Sequence, residues 1–382
     1  MKLERELAIR INPEKSRRFT AEQFAANLAR LTDAALSMQG EDRTIVSVVG
    51  TNGKGSTSYY LAQLFESQTG LYTSPHLHSV YERIRVNLES ISETECDAAL
   101  LRLEKQHDLS NYSYFELLTI LAGFLFHEKN IPVQIFEAGL GGRLDATRIF
   151  RAQYVVLTSI GLDHTELLGN SHEEILAEKL GICTKNARFV LCANQPHLSR
   201  KTVEEMSPVP VLFFDEPYLP NSYLAFNQRF AIFCAKKIAE DSSRTLSSIS
   251  SPLRDPPGRL ERRNLNQRAV FFDNAHNPDA IHTALSSLRG FPDFPGTDST
   301  RIFYAVLPDR DPDACLAAIQ SAGFHKITAL TGEAFRPLPE ALPAGATDKL
   351  LPLLDPWNIF VGSHRLYDSF LDLTRASTKD EH

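Results

Sequence analysis

The sequence lacks several features that mark specialised protein classes. No apolar run approaches the roughly 20 residues of a membrane-spanning helix, and the charged segment 1–18 has no apolar core of a secretory signal. The sequence has 5 cysteines, an odd number, and none of them forms a CxxC motif. This pattern is typical of a reduced protein with ordinary buried thiols. We therefore expect a cytoplasmic protein.

An excess of positive charge is also missing. The 382 residues carry a formal net charge of −7, which argues against a dedicated nucleic-acid binder. Local basic sites for small anions remain compatible with this balance, because net charge does not fix local potential. We expect small-molecule partners, no nucleic acid and no membrane, in a chain that works as a monomer.

Apolar runs alternate with helical patterns along the first two-thirds of the chain. The predicted strands are TIVSVVG (44–50), GLYTS (70–74), VQIFEAG (133–139) and YVVLTSIG (154–161). The predicted helices are about 56–66, the segment SISETECDAALLRLEKQ with a capping box of Ser92 and Glu95, YFELLTILAGFLFHE (114–128) and SHEEILAEKLGI. Such alternation predicts a mostly parallel sheet covered on both faces.

A change of composition divides the chain. Serine, proline and charge dominate residues 240–259, as in a linker. After it the strand candidates AVFFDNA, RIFYAVL, KITALTG and NIFVGS alternate with helical stretches. We therefore predict an N-terminal P-loop-type α/β domain, residues 1–255, and a smaller Rossmann-like α/β domain, residues 256–382.

The stretch VGTNGKGSTSYY, beginning at residue 49, joins a strand to a helix through glycines. Such a turn points backbone N–H groups and the positive end of the helix at one spot. Lys54 adds a full charge for a β- or γ-phosphate, and Ser56 or Thr57 offers a hydroxyl to Mg²⁺. The usual spacing is GxxxxGK[ST], whereas here the loop is shorter and Gly55 is inserted. We predict nucleotide binding; the alternative is a purely structural turn.

Acidic and imidazole groups follow two of the strands. Glu137 closes VQIFEAG, and Asp163 and His164 follow YVVLTSIG. Ligands of open α/β sheets bind at the carboxyl ends of strands, so these groups are candidate Mg²⁺ partners around a nucleotide. The alternative is that Glu137 caps a loop and His164 lies at the surface.

A series of motifs carries a family resemblance. In order they are VVGTNGKGSTS, TSPHL, YERIRVN, YFELLT, FEAGLGGRLDAT, TSIGLDHTELLG, AEKLGI, PPGRLE and DNAHNP. The chain closely resembles the folylpolyglutamate synthase and dihydrofolate synthase family of Mur-type ligases, most strongly over 44–183 and around 256–278. The resemblance implies an enzyme that uses ATP to add L-glutamate to dihydropteroate, to folates or to both, through an acyl phosphate. It makes 1–255 the ATP-binding central domain and 256–382 the glutamate-ligase-like domain.

The resemblance also implies roles for individual residues. Lys54, His164 and Lys179 would be catalytic. The ATP site would contain Gly50, Thr51, Asn52, Gly53, Lys54, Gly55, Ser56, Thr57, Arg259, Asp273 and His276, with Asn277 beside them. Two Mg²⁺ ions would be held by Ser56 and Glu137, by His164, and by Lys179 as a carbamate. Substrate would meet Phe115, Asp145 and Ala146 at the pterin, Ser363 near the glutamate, and Arg83 and Arg85 at the anionic tail.

Read without the resemblance, some of these residues look ordinary. Lys179 would be an exposed helix lysine, Phe115 a core aromatic, and Arg83 and Arg85 surface arginines.

The sequence also departs from the family pattern. Asn274 stands where the family usually has glycine. Phe230 stands at the place of an adenine-contacting asparagine, with Asn227 nearby. Two other functions stay open: a Mur-type ligase acting on a cell-wall precursor, and a non-catalytic nucleotide-binding protein.

Overall fold

The computed structural model describes residues 2–10, 28–29, 31–32, 34–35, 38, 42–110, 112–217, 222–248 and 252–375. The described residues form two compact units. The first lies within Met1–Pro217 and Asn227–Arg254, and the second within Tyr218–Phe226 and Asp255–His382. Each unit contains one sheet with helices, so the predicted α/β class is confirmed.

The first unit contains an eight-stranded sheet. Its strands are β1 (Thr44–Val49), β2 (Thr69–Tyr72), β3 (Ile84–Val86), β4 (Glu89–Ser90), β5 (Val133–Glu137), β6 (Tyr154–Leu157), β7 (Phe189–Cys192) and β8 (Val211–Phe213). They lie in the order β4-β3-β2-β5-β1-β6-β7-β8. The six from β2 to β8 in this order are parallel, while β3 and β4 add an antiparallel edge. Sequence reasoning identified β1, β2, β5 and β6, the strands whose ends carry the candidate site.

The second unit contains a six-stranded sheet. Its strands are β9 (Glu261–Leu265), β10 (Arg268–Phe272), β11 (Thr300–Tyr304), β12 (Lys326–Thr331), β13 (Leu342–Pro343) and β14 (Trp357–Val361). They lie in the order β13-β12-β11-β14-β10-β9. Only β9 runs antiparallel, against β10. This mostly parallel sheet agrees with the predicted Rossmann-like architecture.

The described helices begin and end as follows: α1 (Lys2–Ala8), α2 (Lys54–Leu61), α3 (Glu93–Glu104), α4 (Tyr114–Glu128), α5 (Thr165–Leu168), α6 (His172–Leu180), α7 (Arg200–Met206), α8 (Tyr223–Ser242), α9 (Pro278–Leu288), α10 (Pro312–Ser321), α11 (Thr347–Leu350) and α12 (Tyr367–Arg375). Within these residues, no helix is long and apolar enough to cross a membrane.

Local capping explains several of these helix boundaries. Ser113 and Glu116 form a reciprocal capping box, so α4 starts at the predicted residue. At α3, only half of the predicted capping box forms. The Ser92 hydroxyl accepts from the backbone N–H of Glu95 at 3.3 Å, but the Glu95 carboxylate pairs instead with Lys129.

Separate clusters of buried side chains stabilise the first unit. One gathers residues of α3 and α4, and another gathers residues of β6, α6 and β7. Separate clusters are what a sheet with helices on both faces produces. All five residues of β5 are buried, so the sheet holds the end of this strand, and with it Glu137, at a fixed place.

Candidate functional site

The glycine loop lies between β1, which ends at Val49, and α2, which begins at Lys54. Gly50 has φ +147°, and a Cβ on it would lie 1.8 Å from Thr158 Oγ1. Gly53 has φ +87°, in the left-handed region. Both positions therefore require glycine. The backbone N–H of Thr51 donates to the Ser159 carbonyl at 2.7 Å, which ties the loop to the segment after β6.

Lys54 lies over this loop. Its Nζ donates to the carbonyl of Thr51 at 3.2 Å. The Ser159 hydroxyl donates to the Asn52 carbonyl at 3.2 Å. The side chain of Lys54 and the first N–H groups of α2 thus belong to one short loop, the arrangement that binds phosphate.

The inserted Gly55 faces Glu137. A Cβ on Gly55 would lie 3.4 Å from both carboxylate oxygens of Glu137. Glu137 ends β5, which pairs with β1, and it is 3% exposed. The backbone N–H of Ser74 donates to Glu137 Oε2 at 3.0 Å. The structure thus places Gly55 against Glu137 in one corner at the strand ends, and the neighbouring Ser56 is buried; the predicted pairing of Ser56 with Glu137 around a metal stays a prediction.

Thr57 adds a further hydroxyl beside this corner. Its side chain is fully buried, and its Oγ1 has no hydrogen-bond partner among the described residues. Its backbone N–H donates to the Gly53 carbonyl at 2.9 Å, which closes the first turn of α2.

Lys179 is buried, and its interpretation as an ordinary exposed helix lysine is wrong. The side chain lies on the last turn of α6 and is 4% exposed. Burial is the main cause that lowers the pKa of Lys179 to about 7; the positive charge of Lys54 contributes to this lowering, while Asp163 and Asp145 oppose it. A substantial fraction of its amine is therefore neutral near pH 7.

The glycine turn after β5 packs against α6. A Cβ on Gly142 would lie 2.4 Å from the Lys179 carbonyl oxygen. The backbone N–H of Arg143 donates to the Glu178 carbonyl at 2.8 Å, and the two side chains form an ion pair. Residues 139–145, which we call the β5 loop, thereby share a wall with the turn that carries Lys179.

Asp145 organises the β5 loop from within. Its Oδ2 accepts from the backbone N–H groups of Gly139 and Leu140 at 2.8 and 3.1 Å. Its Oδ1 accepts from the N–H and the hydroxyl of Thr147 at 2.9 and 2.6 Å. Burial raises the pKa of Asp145 above its ordinary value, and these donors oppose the rise. Ala146, next in the chain, is buried.

Phe115 packs on the same loop. A Cβ on Gly139 would lie 2.8 Å from Phe115 Cζ, and the ring centroid lies 5.9 Å from that of Tyr72. The side chain is only half-buried. Phe115 therefore lies at the edge of the core cluster, against which it packs, and lines the β5 loop.

His164 and Asp163 follow β6 as predicted. His164 directly precedes α5 with φ 49°. Its Nε2 lies 3.9 Å from Asp163 Oδ1, and its side chain is half-buried. Asp163 also accepts the backbone N–H of His164 at 2.9 Å. The half-buried imidazole and the more buried carboxylate lie together just before α5, and the negative charge of Asp163 opposes the lowering of the Lys179 pKa.

The two arginines of YERIRVN are not ordinary surface residues. Arg83 is 1% exposed, and its Nε donates to His76 Nδ1 at 2.9 Å. Arg85 Nη1 donates to the Thr73 hydroxyl at 3.1 Å. Both guanidinium groups bind the segment after β2, which also contains Ser74, the donor to Glu137. Their predicted contact with a substrate tail stays a prediction.

In the second unit, Asp273 follows β10 and is 1% exposed. It accepts hydrogen bonds from the Tyr223 hydroxyl and from the N–H groups of Leu260 and Ala275. Arg259 Nη1 lies 3.8 Å from Asp273 Oδ1. Burial raises the pKa of Asp273, against these partners. The sequence predicted Arg259 and Asp273 as members of one site. It did not predict Tyr223, because this residue lies 50 positions before Asp273 and belongs to no recognisable motif.

The other predicted site residues of this unit make hydrogen bonds within their own turns. His276 Nδ1 lies 2.9 Å from the Asn274 carbonyl oxygen. The Asn277 side chain caps α9 by accepting from the Ala280 N–H at 2.8 Å. Ser363 is fully buried, and its hydroxyl accepts from the Arg365 N–H at 3.1 Å. A ligand role for Ser363 stays a prediction.

The adenine position also differs from the family pattern. Phe230 is fully buried and packs against Phe214. By contrast, Asn227 Oδ1 lies 3.0 Å from where a Cβ on Gly53 would be. The asparagine beside the phosphate loop is therefore Asn227, one turn earlier on α8.

The sequence and the fold of this chain are similar to those of known proteins. Residues 48–216 match the Mur ligase middle domain family. The chain is 44% identical over 148 residues to a dihydrofolate synthase/folylpolyglutamate synthase of Buchnera aphidicola subsp. Schizaphis graminum, covering 38% of this chain and 35% of that protein. A folylpolyglutamate synthase of Lacticaseibacillus casei is 27% identical over 391 residues, covering 91% of this chain and 87% of that protein.

Solved structures show the same fold. A crystal structure of a bifunctional folylpolyglutamate synthase/dihydrofolate synthase with Mn, AMPPNP and L-glutamate bound is 26% identical, with a TM-score of 0.74. The alignment covers 91% of this chain and 94% of that one. The first curated relatives, in contrast, are matched over only 35%, 39% and 33% of their own lengths.

Proposed function

We propose that this chain, which is similar to folylpolyglutamate synthases and dihydrofolate synthases and contains a Mur ligase middle domain, uses ATP to join L-glutamate to dihydropteroate, to folates or to both. The observation that carries the proposal is the corner formed by the phosphate loop and Glu137. Gly55 leaves space directly against the buried carboxylate oxygens, beside the loop that is built to hold phosphate.

The proposed reaction has two steps. An oxygen of the folate-type carboxylate attacks the γ-phosphorus of ATP, the bond to the β-phosphate oxygen breaks, and ADP leaves. The α-amino nitrogen of glutamate then attacks the acyl carbon, inorganic phosphate leaves, and the amine loses a proton. Both steps depend on positioning and on stabilising the charge that develops on phosphoryl oxygens.

Residues of the chain would supply much of this positioning and charge stabilisation. The N–H groups of Gly50–Gly55 and the Lys54 ammonium would hold the phosphates. The β5 loop, with Phe115, Asp145 and Ala146, would receive the pterin. Arg259, Asp273 and His276 would contact the nucleotide, and Ser363 the glutamate. The contact of Lys54 Nζ with the Thr51 carbonyl at 3.2 Å, which keeps the ammonium over the loop, supports its role.

A divalent metal fits the donor set at this corner. Glu137 is a buried carboxylate and Ser56 a neighbouring buried hydroxyl, both oxygen donors of the kind Mg²⁺ prefers. When bound, the metal neutralises charge on the phosphoryl oxygens. A second ion at His164 belongs to the same proposal.

Carbamylation of Lys179 also belongs to this proposal. Only the neutral amine attacks CO₂, forming an N–C bond and losing a proton to give an anionic carbamate. The burial that lowers the pKa of Lys179 to about 7 supplies that neutral amine near pH 7. The carbamate would replace a positive charge beside Lys54 with oxygen donors. Carbon-13 NMR of protein under ¹³CO₂ would show a carbamate signal that is missing from Lys179→Met; no such signal would refute the modification.

Phosphate release tests the activity. We expect release only when ATP, L-glutamate and either dihydropteroate or tetrahydrofolate are all present, and none from Lys54→Ala. A nucleotide-free thermal melt shows whether that variant is folded. Release with a muramyl precursor in place of the folate would instead identify a cell-wall ligase. Nucleotide binding without release on any acceptor would identify a non-catalytic binding protein.

Three further points stay proposals: the assignment of ATP binding to 1–255 and of the glutamate-ligase-like role to 256–382, a monomeric state, and a cytoplasmic location.

A further inference from the structure

The segment 158–161, which follows β6, binds the phosphate loop through several hydrogen bonds. The backbone N–H of Thr51 donates to the Ser159 carbonyl at 2.7 Å. The Thr51 hydroxyl donates to the Gly161 carbonyl and accepts from the Gly161 N–H, each at 3.0 Å. The Ser159 hydroxyl donates to the Asn52 carbonyl at 3.2 Å. The position of the phosphate loop therefore depends on the position of this segment.

The side chain of Gln195 binds the same segment from the other side. Strand β6 lies between β1, which leads into the phosphate loop, and β7, which leads to Gln195. The backbone N–H of Ile160 donates to Gln195 Oε1 at 2.8 Å. Gln195 Nε2 donates to the carbonyls of Thr158 and Ala193 at 2.7 and 3.0 Å. Backbone groups therefore use both ends of this side-chain amide.

The amide of Gln195 continues the sheet beyond the end of β7. Regular pairing of β7 with β6 reaches Cys192, and the Ala193 N–H still donates to the Leu157 carbonyl at 2.9 Å. In a parallel pair, one residue binds the N–H and the carbonyl of two residues that lie two positions apart on the neighbouring strand. Gln195 makes this pattern with its side chain, to Ile160 and Thr158.

We propose that Gln195 is a positioning residue for nucleotide binding, which holds the segment 158–161 and, through it, the phosphate loop. This rests on the proposed function, which places the nucleotide phosphates on that loop. A loop that is already ordered loses little affinity when a ligand binds, whereas a loop that is ordered only on binding loses more. Without the amide, the Ile160 N–H and the Thr158 carbonyl lose this partner, so the segment and the loop are held less firmly.

Calorimetric titration of the full-length chain with ATP and Mg²⁺ tests this without requiring turnover. Gln195→Met keeps the length of the side chain and removes both hydrogen-bonding groups. We expect this variant to bind ATP about five- to tenfold more weakly than the wild type.

Gln153→Met is the matched control. Gln153 also binds backbone groups with both ends of its amide, because it accepts from the Ile45 N–H at 2.7 Å and donates to the Arg43 carbonyl at 3.0 Å. It precedes β6 and binds the start of β1, whereas the phosphate loop follows the end of β1. Gln153→Met should therefore lose stability as Gln195→Met does, but bind ATP as the wild type does.

Gln195→Glu tests the role of the amide donor. Its protonated carboxyl group offers an acceptor and a donor as the amide does, whereas its ionised form has no donor for the Thr158 carbonyl. The carbonyls of Thr158 and Ala193 would raise the pKa of this carboxyl group. Its ATP affinity, relative to the wild type at the same pH, should therefore recover as the pH falls from about 8 to about 5. The Cys192 thiol, 3.6 Å from Gln195 Nε2, stays neutral over this range because burial raises its pKa to about 12.

Several outcomes would overturn the inference. Equal ATP affinities of Gln195→Met and the wild type would show that the amide does not act on the loop. Equal weakening by Gln153→Met would show that both glutamines act only through stability. An affinity of Gln195→Glu that does not recover at low pH would contradict the role of the donor, and this variant alone decides if Gln195→Met does not fold. A wild-type chain that binds no ATP would refute the proposed function itself, which is a different result.

Discussion

Gly55→Ala should separate folding from catalysis. The added methyl carbon would lie 3.4 Å from both oxygens of Glu137, an ordinary van der Waals contact, so the fold accommodates it. Gly55 lies inside α2, in the helical region, where alanine is more favourable than glycine by up to about 1 kcal/mol. We expect the free energy of unfolding to rise by about 0.5–1 kcal/mol.

Activity should move in the opposite direction. A Mg²⁺ ion lies about 2.0–2.1 Å from its oxygen ligands, and the methyl group would occupy the space between the loop and the Glu137 carboxylate. We expect kcat/KM to fall at least a hundredfold, which corresponds to about 2.7 kcal/mol of transition-state stabilisation. Urea unfolding and steady-state phosphate release, each at several Mg²⁺ concentrations, measure the two effects.

Two other glycines serve as controls for this substitution. A Cβ on Gly345 meets nothing within 4 Å, so Gly345→Ala should leave activity unchanged. Gly50→Ala should fail to fold, because its Cβ would lie 1.8 Å from Thr158 Oγ1 at φ +147°. Near-wild-type kcat/KM in Gly55→Ala, or a loss of stability, would refute the placement of the reacting groups against Glu137.

Three further substitutions test the electrostatics of the buried groups. The pKa of Lys179 is lowered from 10.5 to about 7, so the unfolded chain binds more protons between these values and stability should rise with pH across them. In CO₂-free buffer, Lys179→Met should flatten that rise and stabilise the protein at pH 7 by about 4 kcal/mol, as followed by urea unfolding. Tyr223→Phe removes the hydroxyl that donates to Asp273 and should lower the free energy of unfolding by about 1.5–3 kcal/mol, whereas no change would show that the bond is not made. Asp145→Asn should cost about 2–3 kcal/mol, because an amide nitrogen would face backbone N–H donors, and a melting temperature equal to that of the wild type would contradict the observed bonds.

The sequence predicted best where local signals were strong. Helix α4 begins and ends at the predicted residues because Ser113 and Glu116 close its first turn and its apolar pattern is unbroken. The strands that end at the phosphate loop and at Glu137 were predicted equally well, because each is a run of mostly apolar residues followed closely by glycine. The resemblance then named further residues around these strand ends, and their roles stay predictions.

Other features had no local signal. Burial of Lys179 depends on the β5 loop packing against α6, a contact between distant segments that helix periodicity does not encode. The bond of Tyr223 to Asp273 joins a helix start to a strand end. Strand β9 was missed as well, because its exposed and half-exposed residues lack the apolar run by which buried strands are recognised.

The β5 loop is held in shape by contacts within the protein. Asp145 gathers the N–H groups of Gly139 and Leu140, Arg143 binds α6, and Phe115 lies on the glycine backbone. A planar ring arriving at such a preformed wall loses little affinity to the ordering of protein segments. Recognition there would be rigid: analogues should be ranked by how well their shape fits the wall, and the loop should not adapt to bulkier rings.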